Sequence, residues 1–247
     1  MSKIHYGVCN ICDSICGLEI EYEGNEVISI RGDKQDPFSR GHICPKGPSH
    51  KDVYKDPDRL RKPVRRNGDK WEEISWEEGF EEAGKKLAAI QKKYGNDALA
   101  VYYGNPTTHN MDSASMLLPW LKGFKSKNIF SVNSVDALTR MLVSLLVFGN
   151  QAILPIPDIE RTEHLLIIGA NPVVSKGSVM TAPDCKKRLL EIQERGGKII
   201  VIDPRRNETA EIADRHYFIR PGTDALFLLA MLDVIFKDGL SDMGKFT

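Results

Sequence analysis

The sequence carries no excess charge of either sign: Lys plus Arg and Asp plus Glu both number 34 among 247 residues. Nothing in that balance points to nucleic acid or an anionic membrane as a partner. No apolar run approaches the ~20 residues of a membrane-spanning helix, so no membrane span is expected. The opening stretch, Met1-Ser2-Lys3-Ile4-His5-Tyr6, leads directly into the first cysteine and predicts no signal peptide. The Arg65-Arg66 pair comes too late for an export signal. Internal repeats and low-complexity tracts are missing. So is a G-x-G-x-x-G fingerprint, which leaves a nicotinamide cofactor without support. With 41% hydrophobic and 28% charged residues, the composition is that of a soluble globular protein of one large or two to three small domains.

Cysteine is scarce, and four of the five are placed with purpose. Cys9, Cys12 and Cys16 form C-x2-C-x3-C, and Cys44 follows inside Cys44-Pro45-Lys46-Gly47. Three closely spaced thiolates let one loop wrap a metal centre, and the distant fourth closes it from another segment. Iron–sulfur clusters use such three-plus-one runs, often with Pro after the remote cysteine. Structural zinc more often splits two-plus-two. A [4Fe–4S] cluster is therefore expected, with a zinc knuckle or a pair of disulfides as competing readings. Cys185 stands alone among lysines as an ordinary helix residue. Clustered thiols without an export signal fit a reducing cytoplasm.

Beyond Cys16, Leu18–Glu23 and Glu26–Ile30 flank Gly24-Asn25, a hairpin signature. A charged connector spans Asp52 to Arg66. Trp71 to Tyr94 reads as a helix entry and helix, with Ser75 and Glu78 as a capping box and Gly95 as the stop. Short apolar strands then alternate with helices: strands at Ala98–Tyr103, Asn128–Val132, His164–Ile168, Lys198–Ile202 and His216–Ile219, and helices at about 112–124, 136–148, 184–195 and 224–236. The fold class expected is α/β: a small N-terminal hairpin domain, then Rossmann-like domains with largely parallel sheets covered on both faces. The boundaries are 1–62, 63–130 and 131–247.

In such sheets the carboxyl ends of the strands form the ligand crevice. Three loops fall there: Gly169-Ala-Asn-Pro-Val-Val-Ser175, Asp203-Pro-Arg-Arg-Asn-Glu-Thr209 and Arg220-Pro-Gly-Thr-Asp224. A carboxylate in this position accepts from ribose or guanine, an Arg forks onto phosphate, and glycines admit close backbone approach. Asp203 and Asp224 read equally as helix caps. The polar loop Gly104–Asn110 ends an earlier strand and reads as a functional loop or a surface turn.

Taken as a set, C-x2-C-x3-C, C-P-K-G, W-x-x-I-S-W, G-A-N-P, D-P-R-R-x-E-T-A and R-P-G-T-D resemble the molybdopterin oxidoreductases of the dimethyl sulfoxide reductase and formate dehydrogenase type, along the whole chain. The resemblance implies one [4Fe–4S] cluster on Cys9, Cys12, Cys16 and Cys44, and molybdenum or tungsten chelated by two molybdopterin guanine dinucleotides. It implies that Asp203, Arg205, Gly222 and Asp224 contact a guanosine diphosphate portion, with Gly169, Asn171 and Ser175 nearby. Lys46 matches a lysine that in the family lies between cluster and pterin.

Two departures qualify what is implied. Family members run several hundred residues further, so the chain is expected to be the N-terminal part of a larger enzyme, partnered by the C-terminal remainder, an electron-transfer protein and a small-molecule substrate. Where many relatives place Cys or selenocysteine on the metal, this chain reads Ser131-Val-Asn-Ser-Val-Asp136. Asp136 is then the metal ligand, with Ser134 the alternative, since hard oxygen suits a high-valent metal; either reads equally as an N-cap. The competing functions are a non-redox hydratase with the same cofactors and a pterin-free electron-wiring subunit like the large iron–sulfur subunit of respiratory complex I.

Overall fold

A computed structural model describes residues 1–104, 106–175, 180–242 and 244. The chain forms two compact units, Met1–Pro155 and Ile156–Thr247. Among the described residues no helix is long and apolar enough to cross a membrane.

The first unit opens with a three-stranded antiparallel sheet, β1 (Lys3–Val8), β2 (Gly17–Glu23) and β3 (Glu26–Gly32). The β2–β3 hairpin follows the expected turn, where Gly24 takes a positive φ of 59° that favours glycine. β1 was not legible beforehand: all its side chains but Gly7 are exposed, so no buried face imposes an alternating pattern. A short helix, α1 (His50–Lys55), follows the Cys44 turn.

The charged connector ends in an unexpected hairpin, β4 (Val64–Asn67) against β5 (Lys70–Glu73). Trp71 thus sits in a strand and not at a helix entry. The strands are four residues each and nearly all exposed, so no apolar alternation announces them. The Arg66 guanidinium lies 5.9 Å from the centre of the Trp71 ring.

The helix itself, α2 (Trp76–Tyr94), begins at the Ser75 cap. Glu78 N–H donates to Ser75 Oγ at 3.1 Å, and Ser75 N–H to Glu78 Oε2 at 3.0 Å. These reciprocal bonds satisfy two otherwise orphaned donors. Gly95 closes the helix at φ 87°. A parallel pair follows, β6 (Val101–Tyr103) with β7 (Ile129–Ser131), linked through α3 (Pro106–His109) and α4 (Met111–Phe124). Then comes α5 (Leu138–Phe148).

In the second unit, β8 (His164–Ile168), β9 (Lys198–Ile202) and β10 (Arg215–Tyr217) form a parallel sheet in the order β10-β9-β8. Between them lie α6 (Pro172–Ser175), α7 (Cys185–Glu194) and α8 (Glu208–Ile212), and α9 (Asp224–Lys237) follows. Successive side chains of β9 point to opposite faces. Ile199 and Val201 pack, fully buried, with Leu189 and Ile192 of α7. Leu166, Ile200 and Ile202 line a cavity of about 460 Å³ that Phe227 and Met231 of α9 help to enclose. α7 covers one face of the sheet, while Leu166 of β8 stays partly exposed on the other.

Candidate functional site

The cysteine loop is built from strand ends. β1 delivers Cys9 and β2 leaves from Cys16, whose carbonyl accepts the Cys9 N–H at 2.8 Å. The Ile15 N–H returns to the Cys12 carbonyl at 3.1 Å, and Ile15 takes φ 33°, unusual for a β-branched residue. Cys9 and Cys16 are buried with Leu18, and Ile43, next to Cys44, packs on this cluster.

The remote segment is held by close backbone contact. A Cβ on Gly32 would fall 2.2 Å from the Gly41 carbonyl oxygen, and one on Gly17 would fall 2.6 Å from Asp36 Cβ. Asp36 accepts the Ser39 hydroxyl at 2.5 Å and the Ser39 N–H at 2.7 Å, while Gly17 N–H donates to Ser39 Oγ at 3.1 Å. Burial works against the Asp36 charge, but the Ser39 and Gly17 donors outweigh it and hold its carboxyl below the usual range.

Cys9, Cys12 and Cys44 all lie within electrostatic reach of Cys16. Burial pushes the Cys16 thiol up to about 11, and Cys9, Cys12 and Cys44 each add to the rise. Burial also raises Cys9, with Cys12 and Cys44 contributing. Free thiolates are thus disfavoured, as expected where a metal centre supplies the compensating charge. A single tetrahedral zinc would bring its sulfurs to about 3.8 Å from each other. Among the described residues no three Cys, His, Asp or Glu side chains converge closely enough to hold one ion. In a cubane each thiolate binds its own iron. The five cysteines are unbridged. Cys185 is 3% exposed in the core of the second unit.

The second cluster of expected residues lies at the carboxyl ends of β8 and β9 and in the segment after β10. Gly169 takes φ 61° and donates its N–H to the Ile202 carbonyl at 2.9 Å, joining two loops. Asn171 Nδ2 donates to Glu208 at 2.7 Å, and Glu208 also pairs with Arg205 at 3.2 Å. The Asp203 carboxylate accepts from Arg205 N–H at 2.8 Å and Asn207 Nδ2 at 3.0 Å. Asp203 therefore shapes its own loop and caps no helix; the cap of α8 is Asn207, which accepts the Ala210 N–H at 2.9 Å. Asp224 is likewise the first residue of α9 and not its cap, a position held by Thr223. Gly222 takes φ 81°, and the Ser175 hydroxyl donates to the Pro172 carbonyl at 3.5 Å.

Asp136 and Ser134 are exposed beyond β7. Neither caps α5, whose cap position is Ala137 without a side-chain bond. Ser134 donates instead to the Ser131 carbonyl at 3.3 Å. Lys46 is exposed on the turn after Cys44, where its carbonyl accepts the Ser49 hydroxyl at 2.7 Å. In the loop Gly104–Asn110, Asn105 lies outside the described residues.

The motifs match the molybdopterin oxidoreductase family model over residues 59–245 and the molybdopterin oxidoreductase Fe4S4 domain over residues 2–55. The chain belongs to the molybdopterin oxidoreductase family. Its cofactors are those expected from the cysteine frame and the loops, a [4Fe–4S] cluster and a molybdenum- or tungsten-pterin. Among relatives of this molybdopterin oxidoreductase chain, the thiosulfate reductase molybdopterin-containing subunit of Salmonella typhimurium is 28% identical over 95% of the chain and 30% of its own length. Formate dehydrogenase H of Escherichia coli is 29% identical, over 95% of the chain and 33% of its own length. The structure of acetylene hydratase from Pelobacter acetylenicus superposes with a TM-score of 0.77 at 28% identity, covering 96% of this chain and 32% of that one. The chain spans about a third of the length of the curated relatives it matches.

Three features escaped sequence reading. His50 Nε2 lies 4.0 Å from Cys9 Sγ, His109 Nε2 lies 3.2 Å from Asp13 Oδ1, and Asp36 with Ser39 clamps Gly17. No local spacing links these partners, and only the returning chain joins them.

Proposed function

We propose that the protein serves in a molybdenum or tungsten bis-molybdopterin-guanine-dinucleotide oxidoreductase and exchanges electrons between the metal–pterin centre and a [4Fe–4S] cluster. When bound, these cofactors supply oxygen-atom or hydride-type transfer at the metal and one-electron storage in the cluster. The observation that carries the reading is the gathering of Cys9, Cys12, Cys16 and Cys44 although Cys44 comes from a separate segment. In this reading residues 1–62 hold the cluster, residues 63–130 form the first α/β segment, and residues 131–247 bind the pterin dinucleotide.

Cys9, Cys12, Cys16 and Cys44 each hold one iron. Asp203, Arg205, Gly222 and Asp224 bind the guanosine diphosphate portion, with Gly169, Asn171 and Ser175 beside it. Arg205 is exposed and gives a fork suited to phosphate. Asp136 offers a hard oxygen ligand, with Ser134 the alternative. Lys46 places a cation two residues from a cluster ligand, which favours arrival of an electron. The clustered thiols suit a reducing cytoplasm.

Rapid reduction by substrate, followed through the EPR signal of the cluster, tests the assignment. Lys46→Ala is expected to keep both cofactors and slow the appearance of reduced cluster; an unchanged rate would remove Lys46 from the path. The structural likeness to acetylene hydratase supports a second reading, addition of water without net redox change. Dye-linked assays separate the two, because a hydratase leaves the dye unreduced.

A further inference from the structure

His109 ends α3, in the loop that follows β6, yet its side chain is only 13% exposed. Its Nε2 is shielded from solvent and lacks an aligned hydrogen-bond acceptor, although Asp13 Oδ1 stands 3.2 Å away. The ion-pair distance and the missing hydrogen bond describe one geometry: the carboxylate lies beside the imidazole nitrogen but off its N–H direction. Asp13 belongs to the stretch Asp13-Ser14-Ile15 that separates Cys12 from Cys16.

That stretch is under backbone strain. Ile15 at φ 33° occupies a region unfavourable for a β-branched residue, and such a conformation persists only where its surroundings impose it. One end is fixed by the Asp36–Ser39 clamp on Gly17. At the other, Asp13 meets an imidazole carried by a different part of the first unit.

We propose that His109 is a positioning residue for the iron–sulfur loop: by holding Asp13 it keeps Cys12 and Cys16 at the separation the cluster needs. The inference rests on the assignment of the four cysteines as cluster ligands. It gives the loop after β6 a definite task, to brace the cluster loop from outside. His109 touches neither iron nor substrate in this role.

The test compares the anaerobically reconstituted protein with His109→Ala, Asp13→Ala, the double variant and His109→Gln. Loss of the cluster absorbance to a ferrous chelator is timed, and the EPR line shape of the reduced cluster is recorded. Each alanine variant is expected to lose its cluster about tenfold faster, the scale of coupling between contacting polar groups, and to alter the line shape. The double variant should be no faster than either single one. His109→Gln, which keeps side-chain bulk against Asp13, should restore slow loss. Unchanged rates in the single variants, or multiplied effects in the double, would overturn the proposal. So would failure of both His109→Ala and His109→Gln to load. A wild-type protein that takes up no iron would instead refute the ligand assignment on which the proposal stands.

Discussion

Thr209 Oγ1 donates a 2.8 Å hydrogen bond to Asn171 Oδ1 and accepts the Val173 N–H at 3.2 Å. Thr209 is fully buried, so a single hydroxyl ties the loop after β8 to the start of α8. Thr209→Val keeps the volume but leaves the Val173 N–H and the Asn171 carbonyl without this partner. The expected cost is about 1–3 kcal/mol, seen as a lower melting temperature. Thr209→Ser should recover most of it. GMP released on acid hydrolysis of the holoenzyme should fall with Thr209→Val, because Asn171 loses its orientation.

Gly24 and Gly32 separate backbone conformation from backbone approach. Gly24→Ala meets no atom and strains only a positive φ, so it should cost about 1–2 kcal/mol and leave iron uptake intact. Gly32→Ala drives a methyl group into the Gly41 carbonyl and must displace the segment that delivers Cys44. Iron per chain after anaerobic reconstitution should stay near four for Gly24→Ala and drop sharply for Gly32→Ala.

Replacing Cys9, Cys12, Cys16 or Cys44 by Ser should abolish the cluster spectrum, whereas Cys185→Ser should leave it unchanged. Elemental analysis showing stoichiometric zinc and no iron would refute the cluster. Arg205→Ala and Asp224→Ala should keep the full iron content and lower the guanine nucleotide content of the holoenzyme.

Asp214 gives a pH dependence in the second unit. Its carboxylate accepts from Gln193 Nε2 at 3.0 Å, Ile199 N–H at 2.9 Å and Lys198 Nζ at 3.0 Å. These donors, Gln193 foremost, hold it far below its ordinary value of 3.8. A depressed folded-state value adds stability above the ordinary value and loses it as pH falls below. Because the side chain is 22% exposed, solvent screening limits the contribution to about 1–2 kcal/mol. Chemical denaturation should find Asp214→Ala less stable than wild type at pH 7, with the gap closing below about pH 4.

Local chemistry made much of the molecule legible. β8 and β9 run from His164 to Ile168 and from Lys198 to Ile202 as their apolar runs indicate. The Ser75–Glu78 box starts α2 because both partners lie within one helical turn. The cysteine spacing pointed to a cluster because a loop that wraps a cubane must carry three thiolates close together. Tertiary structure decided what depends on chain return. β1 and the β4–β5 hairpin lack a buried face, so pairing alone defines them. The caps of α5 and α9 fell on Ala137 and Thr223, which make no side-chain cap bond, because loop geometry sets where those helices begin. The approach of His109 to Asp13 left no trace in the sequence: a contact between distant segments requires no local periodicity, only a fold that brings them together.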